Sequence, residues 1–108
     1  MTEPAPEREA LFWRLAEALY TDPAVTRSTM MGYPCLRADG KFFACVDRRT
    51  GNLVVKLPAG RVDELVATGV GLRFAPNGKV FREWVACPIP DDEEWSALLD
   101  EAKAFAGG

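Results

Sequence analysis

The 108-residue sequence predicts an α+β domain with a mainly antiparallel sheet. Three segments have the apolar spacing of amphipathic helices, at the start, in the middle and at the end of the chain. Strand-like runs lie between them and are joined by short turn signals, which favour antiparallel pairing. The predicted order is α-β-β-β-α-β-β-α, in two layers with about five strands. We therefore assign residues 1–108 to a single domain and expect residues 1–5 to be flexible.

Each predicted helix has an apolar stripe and a signal at one of its ends. Leucines recur every four residues across residues 6–20, which predicts the first helix. Residues 58–69 form the second, with Gly69 expected just past its end in the left-handed conformation. The third helix follows the segment PIP, and either Asp91 or Asp92 is expected to cap its amino terminus.

Two turn signals predict a three-stranded meander over residues 33–57. Asp39 and Gly40 separate the apolar runs YPCLRA and KFFACVD, which indicates a two-residue hairpin. The third run, NLVVKL, follows the segment RRTG, whose Gly51 can supply the positive φ of a bulged turn. Neighbouring strands of this meander are therefore expected to be antiparallel.

A second hairpin is predicted in the segment FAPNGKVFREWVACP, residues 74–88. Its Asn-Gly pair is a strong turn signal and stands between two strand-like runs. By alternation from Phe81, we expect Phe81 and Val85 to share one face of the second strand. Trp84 would then lie on the opposite face, together with Arg82, on a surface for either packing or contact.

Charge is unevenly distributed along the chain, whose net charge is −3. Residues 27–88 carry ten basic and five acidic side chains, a balance of +5. The segments before and after them carry −3 and −5, so both terminal helices are acidic. Two interpretations are open: the basic side chains pair with the acidic helices, or they form an electropositive face for an anionic partner.

Both predicted hairpins place a lysine just past the turn, because DGKFF at residues 39–43 recurs as NGKVF at residues 77–81. Basic side chains at such tips can contact phosphates or other anions. The candidate anion contacts are Lys41, Arg48, Arg49, Lys79 and Arg82. Trp13, which lies off the apolar stripe of the first helix, and Trp84 are candidate partner contacts.

The absence of histidine excludes the catalytic groups and metal sites that depend on this residue. Histidine is absent, which removes Ser-His-Asp and Cys-His nucleophiles and the usual zinc and non-haem iron ligand sets. Cys35, Cys45 and Cys87 lack CxxC spacing and lie in apolar runs, so we expect buried, reduced thiols. Cys35, near Arg37, is the best placed of the three for reactivity. We predict no catalytic residue, no metal, no cofactor and no enzymatic activity.

The sequence also bears on location. No apolar run approaches the roughly 20 residues that a membrane helix requires. The acidic, proline-rich start lacks the basic and apolar regions of a signal peptide. We therefore expect a cytoplasmic protein with no membrane association. Its partner is expected to be a protein or a nucleic acid.

Several short motifs, in order, resemble those of the TfoX N-terminal domain family and of the related YjbR/MmcQ-type proteins. Residues 30–33, MMGY, stand in place of a Met-Phe-Gly-Gly-like entry. Residues 39–44 match a "dGkmFa"-like hairpin and residues 53–58 an "lylKlp"-like strand, followed by Arg61 at the start of a helix. Residues 74–88 match a closing hairpin with the pattern F-x-P-x-G-R/K followed by W-v-x-vP.

The resemblance covers about residues 28–106 and implies a non-catalytic function. The family has no established catalytic activity or cofactor. Competence regulation belongs to two-domain members, and YjbR-like relatives have been described as double-winged and proposed to bind DNA. Three hypotheses follow: a regulatory or interaction module, a weak DNA-binding protein with two hairpin wings, and a small-anion or metabolite-binding domain with Arg61 or Arg82 as the clamp.

Overall fold

A computed structural model describes residues 4–30, 33–47, 49–75 and 78–107. Within these residues, three helices pack on one face of a six-stranded antiparallel sheet. The helices are α1 (Pro4–Leu19), α2 (Ala59–Ala67) and α3 (Asp92–Gly107). The strands are β1 (Val25–Met30), β2 (Tyr33–Ala38), β3 (Lys41–Val46), β4 (Leu53–Lys56), β5 (Leu72–Arg73) and β6 (Trp84–Cys87). None of the described helices has the length and apolarity needed to cross a membrane.

The predicted fold class and order of elements are confirmed, and the sheet has one strand more than the roughly five expected. The additional strand is β1, whose polar sequence VTRSTM carries no alternating pattern. It is the first strand in the sheet order, and it pairs with β2 along its whole length. Residues 4 and 5, expected to be flexible, lie in α1, whereas residues 1–3 are outside the described residues.

The sheet order is β1-β2-β3-β4-β6-β5, and every neighbouring pair is antiparallel. The meander β2-β3-β4 forms as predicted. Asp39 and Gly40 have φ values of 52° and 79°, the two positive values that a type I′ hairpin turn requires. Gly51, with φ 78°, supplies the positive value expected in the turn between β3 and β4.

A β-bulge interrupts the pairing of β2 with β3. Leu36 pairs with Ala44 and Arg37 with Phe42, so Phe43 is an extra residue on β3. Phe43 and Ala44 are both buried in the core between the sheet and the helices. The strict two-residue alternation of β3 is therefore broken at this point.

The second hairpin differs from the prediction. β5 and β6 pair over only two residues each, and the described residues between them, 74–75 and 78–83, belong to no strand. The Phe81 N–H donates to the Phe74 carbonyl at 3.0 Å, and the Trp84 N–H donates to the Phe81 carbonyl at 3.1 Å. Phe81 is therefore in a turn, and the face assigned to it by strand alternation was wrong. Within the Asn-Gly turn signal, Gly78 has a positive φ of 80°, whereas residues 76 and 77 lie outside the described residues.

The helix ends follow local sequence signals. The carboxylate of Asp91 accepts a hydrogen bond from the Glu94 N–H at 2.9 Å, so Asp91 is the amino-terminal cap of α3. After α2, Gly69 has φ 83° and its N–H donates to the Val66 carbonyl. The Val70 N–H donates to the Leu65 carbonyl, which completes a Schellman motif with the expected glycine.

The core between the helices and the sheet has contributions from all three helices. Phe12 of α1, Val62 of α2 and Trp95 of α3 are fully buried against it. From the sheet, Phe43 and Leu53 are among the largest fully buried side chains. Burial of side chains of this size stabilises the fold by roughly 1.5–3 kcal/mol each, relative to exposure.

A glycine beside this core allows a testable prediction about close packing. A Cβ added at Gly71 would overlap Cγ2 of Val85, a buried β-branched side chain with little freedom to move. We expect Gly71→Ala to lower the free energy of unfolding by about 1–3 kcal/mol. In the matched variant Gly60→Ala, the new methyl meets open space in α2, and we expect stabilisation of up to about 1 kcal/mol. Urea denaturation followed by circular dichroism measures both, and equal stability of the two variants would contradict the packing.

Candidate functional site

The two faces of the sheet are covered differently. The core lies on the face that the helices cover. On the other face, a second buried cluster consists of Cys35, Cys45, Val54 and Ala86. Strand pairing places these four side chains in one row across β2, β3, β4 and β6. No helical residue of the described segments belongs to this cluster, and we refer to this side as the helix-free face.

A second row of larger side chains lies beside the small ones. Arg37 pairs with Phe42 across β2 and β3, and Lys56 pairs with Trp84 across β4 and β6. Phe74 follows β5, and its ring centroid lies 6.5 Å from that of Trp84. We call these five residues the cation–aromatic row. Its three rings are half-buried and pack on the small side chains, and the Arg37 guanidinium lies 4.3 Å from the Phe42 ring centroid.

The loop before β6 extends this aromatic surface. The ring of Phe81 lies 5.8 Å from Phe74, centroid to centroid, at an interplanar angle of 34°. Phe81 is 40% exposed, and Leu72 of β5 is 52% exposed. Apolar side chains of this size are usually covered, so their grouping at one corner of the sheet marks a surface suited to contact.

Strand direction decides which predicted anion contacts lie together. β2, β4 and β5 run in the same direction, because each is separated from the next by one antiparallel strand. The turn after β2, the end of β4 and the loop after β5 therefore lie at one end of the sheet. Lys41, Lys79 and Arg82 are at this end, and all three are exposed.

The other two predicted contacts do not join them. Arg49 lies in the turn between β3 and β4, at the opposite end of the sheet. Its backbone N–H donates to Oδ1 of Asp47 at 2.9 Å, and its Nε lies 3.5 Å from the same oxygen. Arg48 is outside the described residues. The five predicted residues therefore do not form a single anion site.

Part of the basic charge pairs with the acidic helices. Nε and Nη2 of Arg61 donate to the two carboxylate oxygens of Glu101, at 2.9 and 3.0 Å, and its Nη1 donates to Glu64. The hydrogen bonds to Glu101 and then Glu64 raise the pKa of Arg61. Arg73 pairs with Asp63 of α2 at 2.6 Å. The Arg61 guanidinium is occupied by carboxylates, which disfavours the anion-clamp hypothesis for this residue.

Five other cations of this basic segment lie at the hairpin end or on the helix-free face. Within the described part of the chain, Lys41, Lys56, Lys79 and Arg82 form no ion pair. Together with Arg37 they give five cations, and the carboxylates in the same turn and loop are those of Asp39 and Glu83. The local balance of +3 contrasts with a net charge of −3 for the whole chain. Some basic side chains of this segment therefore pair with carboxylates of the helices, whereas others form a local cationic surface.

The two candidate tryptophans lie on opposite sides of the sheet. Trp13 packs edge to face with Phe12 of α1, at 4.9 Å between ring centroids. The Arg27 guanidinium lies 4.2 Å from its ring centroid, and the ring lines an open cavity of about 410 Å³ beside β1. Trp84 belongs to the cation–aromatic row. These two residues cannot contribute to one contact surface.

The three cysteines are buried and reduced, and the thiols of Cys45 and Cys87 favour the protonated form. Cys35 and Cys45 are directly opposite each other on β2 and β3. A hydrogen bond from one thiol to the other, followed by burial, raises the pKa of Cys45. Burial, and to a lesser degree the charge of Glu94, raises the pKa of Cys87 to about 12. Such thiols are poor nucleophiles at neutral pH.

The raised pKa of Cys87 predicts a loss of stability in alkali. An unfolded thiol loses its proton near pH 9, whereas the folded one keeps it to about pH 12. Between these values the unfolded state binds fewer protons, so the free energy of unfolding falls as pH rises, by up to about 1.4 kcal/mol per pH unit for this group. Urea midpoints of the wild type and of Cys87→Ala should therefore converge above pH 9. Parallel pH profiles of the two proteins would contradict the assignment.

No protein-family model matches the chain, and no curated protein matches it either. The resemblance to the TfoX N-terminal domain therefore rests on the sequence motifs alone. Three of these motifs, at residues 39–44, 53–58 and 74–88, contain four members of the cation–aromatic row. Those members are Phe42, Lys56, Phe74 and Trp84. The segments that carry the resemblance thus also form most of the candidate site.

Proposed function

We propose that this protein is a small, non-enzymatic, cytoplasmic regulatory or interaction module of the TfoX N-terminal domain type. Its partner binds the helix-free face of the sheet. The observation that carries this proposal is the cation–aromatic row, which crosses the sheet on the side without helices. Arginine and aromatic side chains dominate the binding energy of known interfaces.

The row differs from an ordinary packing surface in two respects. Lys56 is half-buried beside Trp84 and has no acidic partner among the described residues. At the corner of the same face, Phe81 and Leu72 are exposed rather than covered. A bound partner would supply both the missing negative charge and the missing apolar cover.

Site-specific crosslinking tests this proposal. The photoreactive amino acid benzoylphenylalanine replaces Phe81, and a matched variant carries it at Phe105, which is 36% exposed on α3 at the helix side. We expect a discrete crosslinked partner from a cytoplasmic extract at position 81 but not at position 105. Lys56→Glu should abolish that product. Equal products at both positions, or none at position 81, would count against the helix-free face.

A second candidate function is weak binding of duplex DNA through the two hairpins. The observation that favours it is the placement of the turn at residues 39–40 and of residues 78–83, which precede β6, at the same end of the sheet. The strands β3 and β6 are separated only by β4, so they lie roughly 10 Å apart. That spacing is comparable with the roughly 12 Å width of a major groove. Lys41 and Lys79 would contact phosphates on its two sides.

Fluorescence anisotropy with a labelled duplex at low salt tests the hairpin hypothesis. We expect a dissociation constant of about 100 µM or tighter, as for non-specific binding. The double variant Lys41→Glu, Lys79→Glu should abolish the signal. Arg14→Glu, which changes a charge on the helix side of the molecule, should weaken it far less. An unchanged affinity in the double variant would exclude the two hairpins as the binding site.

A further inference from the structure

We propose that the helix-free face binds single-stranded polynucleotides, DNA or RNA, by stacking bases on Phe81 and Trp84. Phosphates would pair with Lys56 and with the loop cations Lys79 and Arg82. This inference rests on the proposed function and names the partner class for the same face. It shares Lys79 with duplex binding at the hairpin end, and it differs in its ligand and in the aromatic rings that dominate affinity.

The aromatic cluster has the geometry that stacking requires. Phe74 lies between Phe81 and Trp84, at centroid distances of 5.8 and 6.5 Å and interplanar angles of 34° and 49°. Neither pair is a face-to-face stack, and Phe81 keeps 40% of its surface exposed. Phe74 is half-buried, packs against the small row and contacts both of the other rings. An exposed ring face accepts any nucleobase, because every base has a π-face.

The cations lie where a strand stacked on these rings would place its phosphates. Lys56 is the direct cross-strand neighbour of Trp84, and side chains so paired have Cβ atoms about 5 Å apart. Lys79 and Arg82 flank Phe81 in the same loop and are exposed. None of the three forms an ion pair within the described residues. A groove or platform that alternates cations with aromatic rings is the usual arrangement for single strands.

A single strand fits this face better than a duplex. The bases of a duplex are already stacked on one another, so rings on a sheet surface cannot reach their faces. Stacking of unpaired bases requires only ring faces and nearby positive charge.

Tryptophan fluorescence and anisotropy with single strands test the inference. The probes are labelled oligo-dT and oligo-U of about 12 nucleotides, within the range that one small domain covers. We expect both to bind at low salt and to change the emission of Trp84. With about three phosphate contacts, affinity should fall roughly 20-fold between 50 and 200 mM salt. Binding of both oligonucleotides supports the inference, whichever of the two binds more tightly. A preference for oligo-U over oligo-dT would indicate contacts to the 2′-hydroxyl.

Matched variants assign binding to the face. Phe81→Ala should weaken both oligonucleotides about tenfold, whereas Phe105→Ala on α3 should leave affinity unchanged. Trp84→Phe keeps a stacking ring, so it should retain binding by anisotropy while the fluorescence change is lost. This second variant remains informative if Phe81→Ala proves unstable. Lys56→Gln should reduce the slope of log affinity against log salt by about 0.7.

Three outcomes would overturn the inference, and they differ in whether they also reject the proposed function. Binding that prefers duplex and is insensitive to Phe81→Ala would overturn it in favour of the hairpin end. An acidic, aromatic-rich peptide that changes Trp84 emission, with no response to oligonucleotides, would leave the helix-free face as a binding surface with a protein partner. No response to any probe, together with no crosslink at position 81, would reject both the inference and the proposed function.

Discussion

A single β-bulge decides which side chains reach each face of the sheet. Phe43 is the extra residue on β3, so Phe43 and Ala44 both enter the core beneath the helices. Strict alternation would have placed Phe42 and Cys45 on opposite faces, because side chains of a strand alternate with a period of two. With the bulge, Phe42 and Cys45 both lie on the helix-free face. The cation–aromatic row and the buried row beside it depend on this irregularity.

The same division into two faces organises the charge. On the helix side, Arg61 and Arg73 are matched by carboxylates of α2 and α3, which satisfies the guanidinium groups where the helices approach the sheet. Those carboxylates cannot reach the other face, because the sheet itself lies between. Lys56 and the loop cations therefore remain available there, although the chain as a whole is acidic. A weakly anionic protein can in this way present a local cationic surface.

The candidate site could be read from the sequence only where its residues are close along the chain. Lys79, Arg82 and Trp84 were found because they follow one turn signal in a single short segment. Arg37, Phe42, Lys56 and Phe74 were missed, since strand pairing alone brings them beside Trp84. Strand alternation does predict that Lys56 shares a face with Val54, because the two residues are two positions apart in one strand. Alternation fails for Phe42, because the bulge at Phe43 changes the face on which Phe42 lies relative to Cys45.

The sequence by itself determined the helices, the meander and the tight turns. These features depend on neighbours in the chain: apolar periodicity marks a helix face, and residues such as Gly40 and Gly69 permit the positive φ that a turn or helix end requires. Only the tertiary structure decided the strand β1, the irregular conformation of residues 78–83 and the distribution of side chains between the faces. The polar strand β1 exists because β2 offers a complete ladder of backbone partners. Pairing between distant segments carries that information, and no local pattern encodes it.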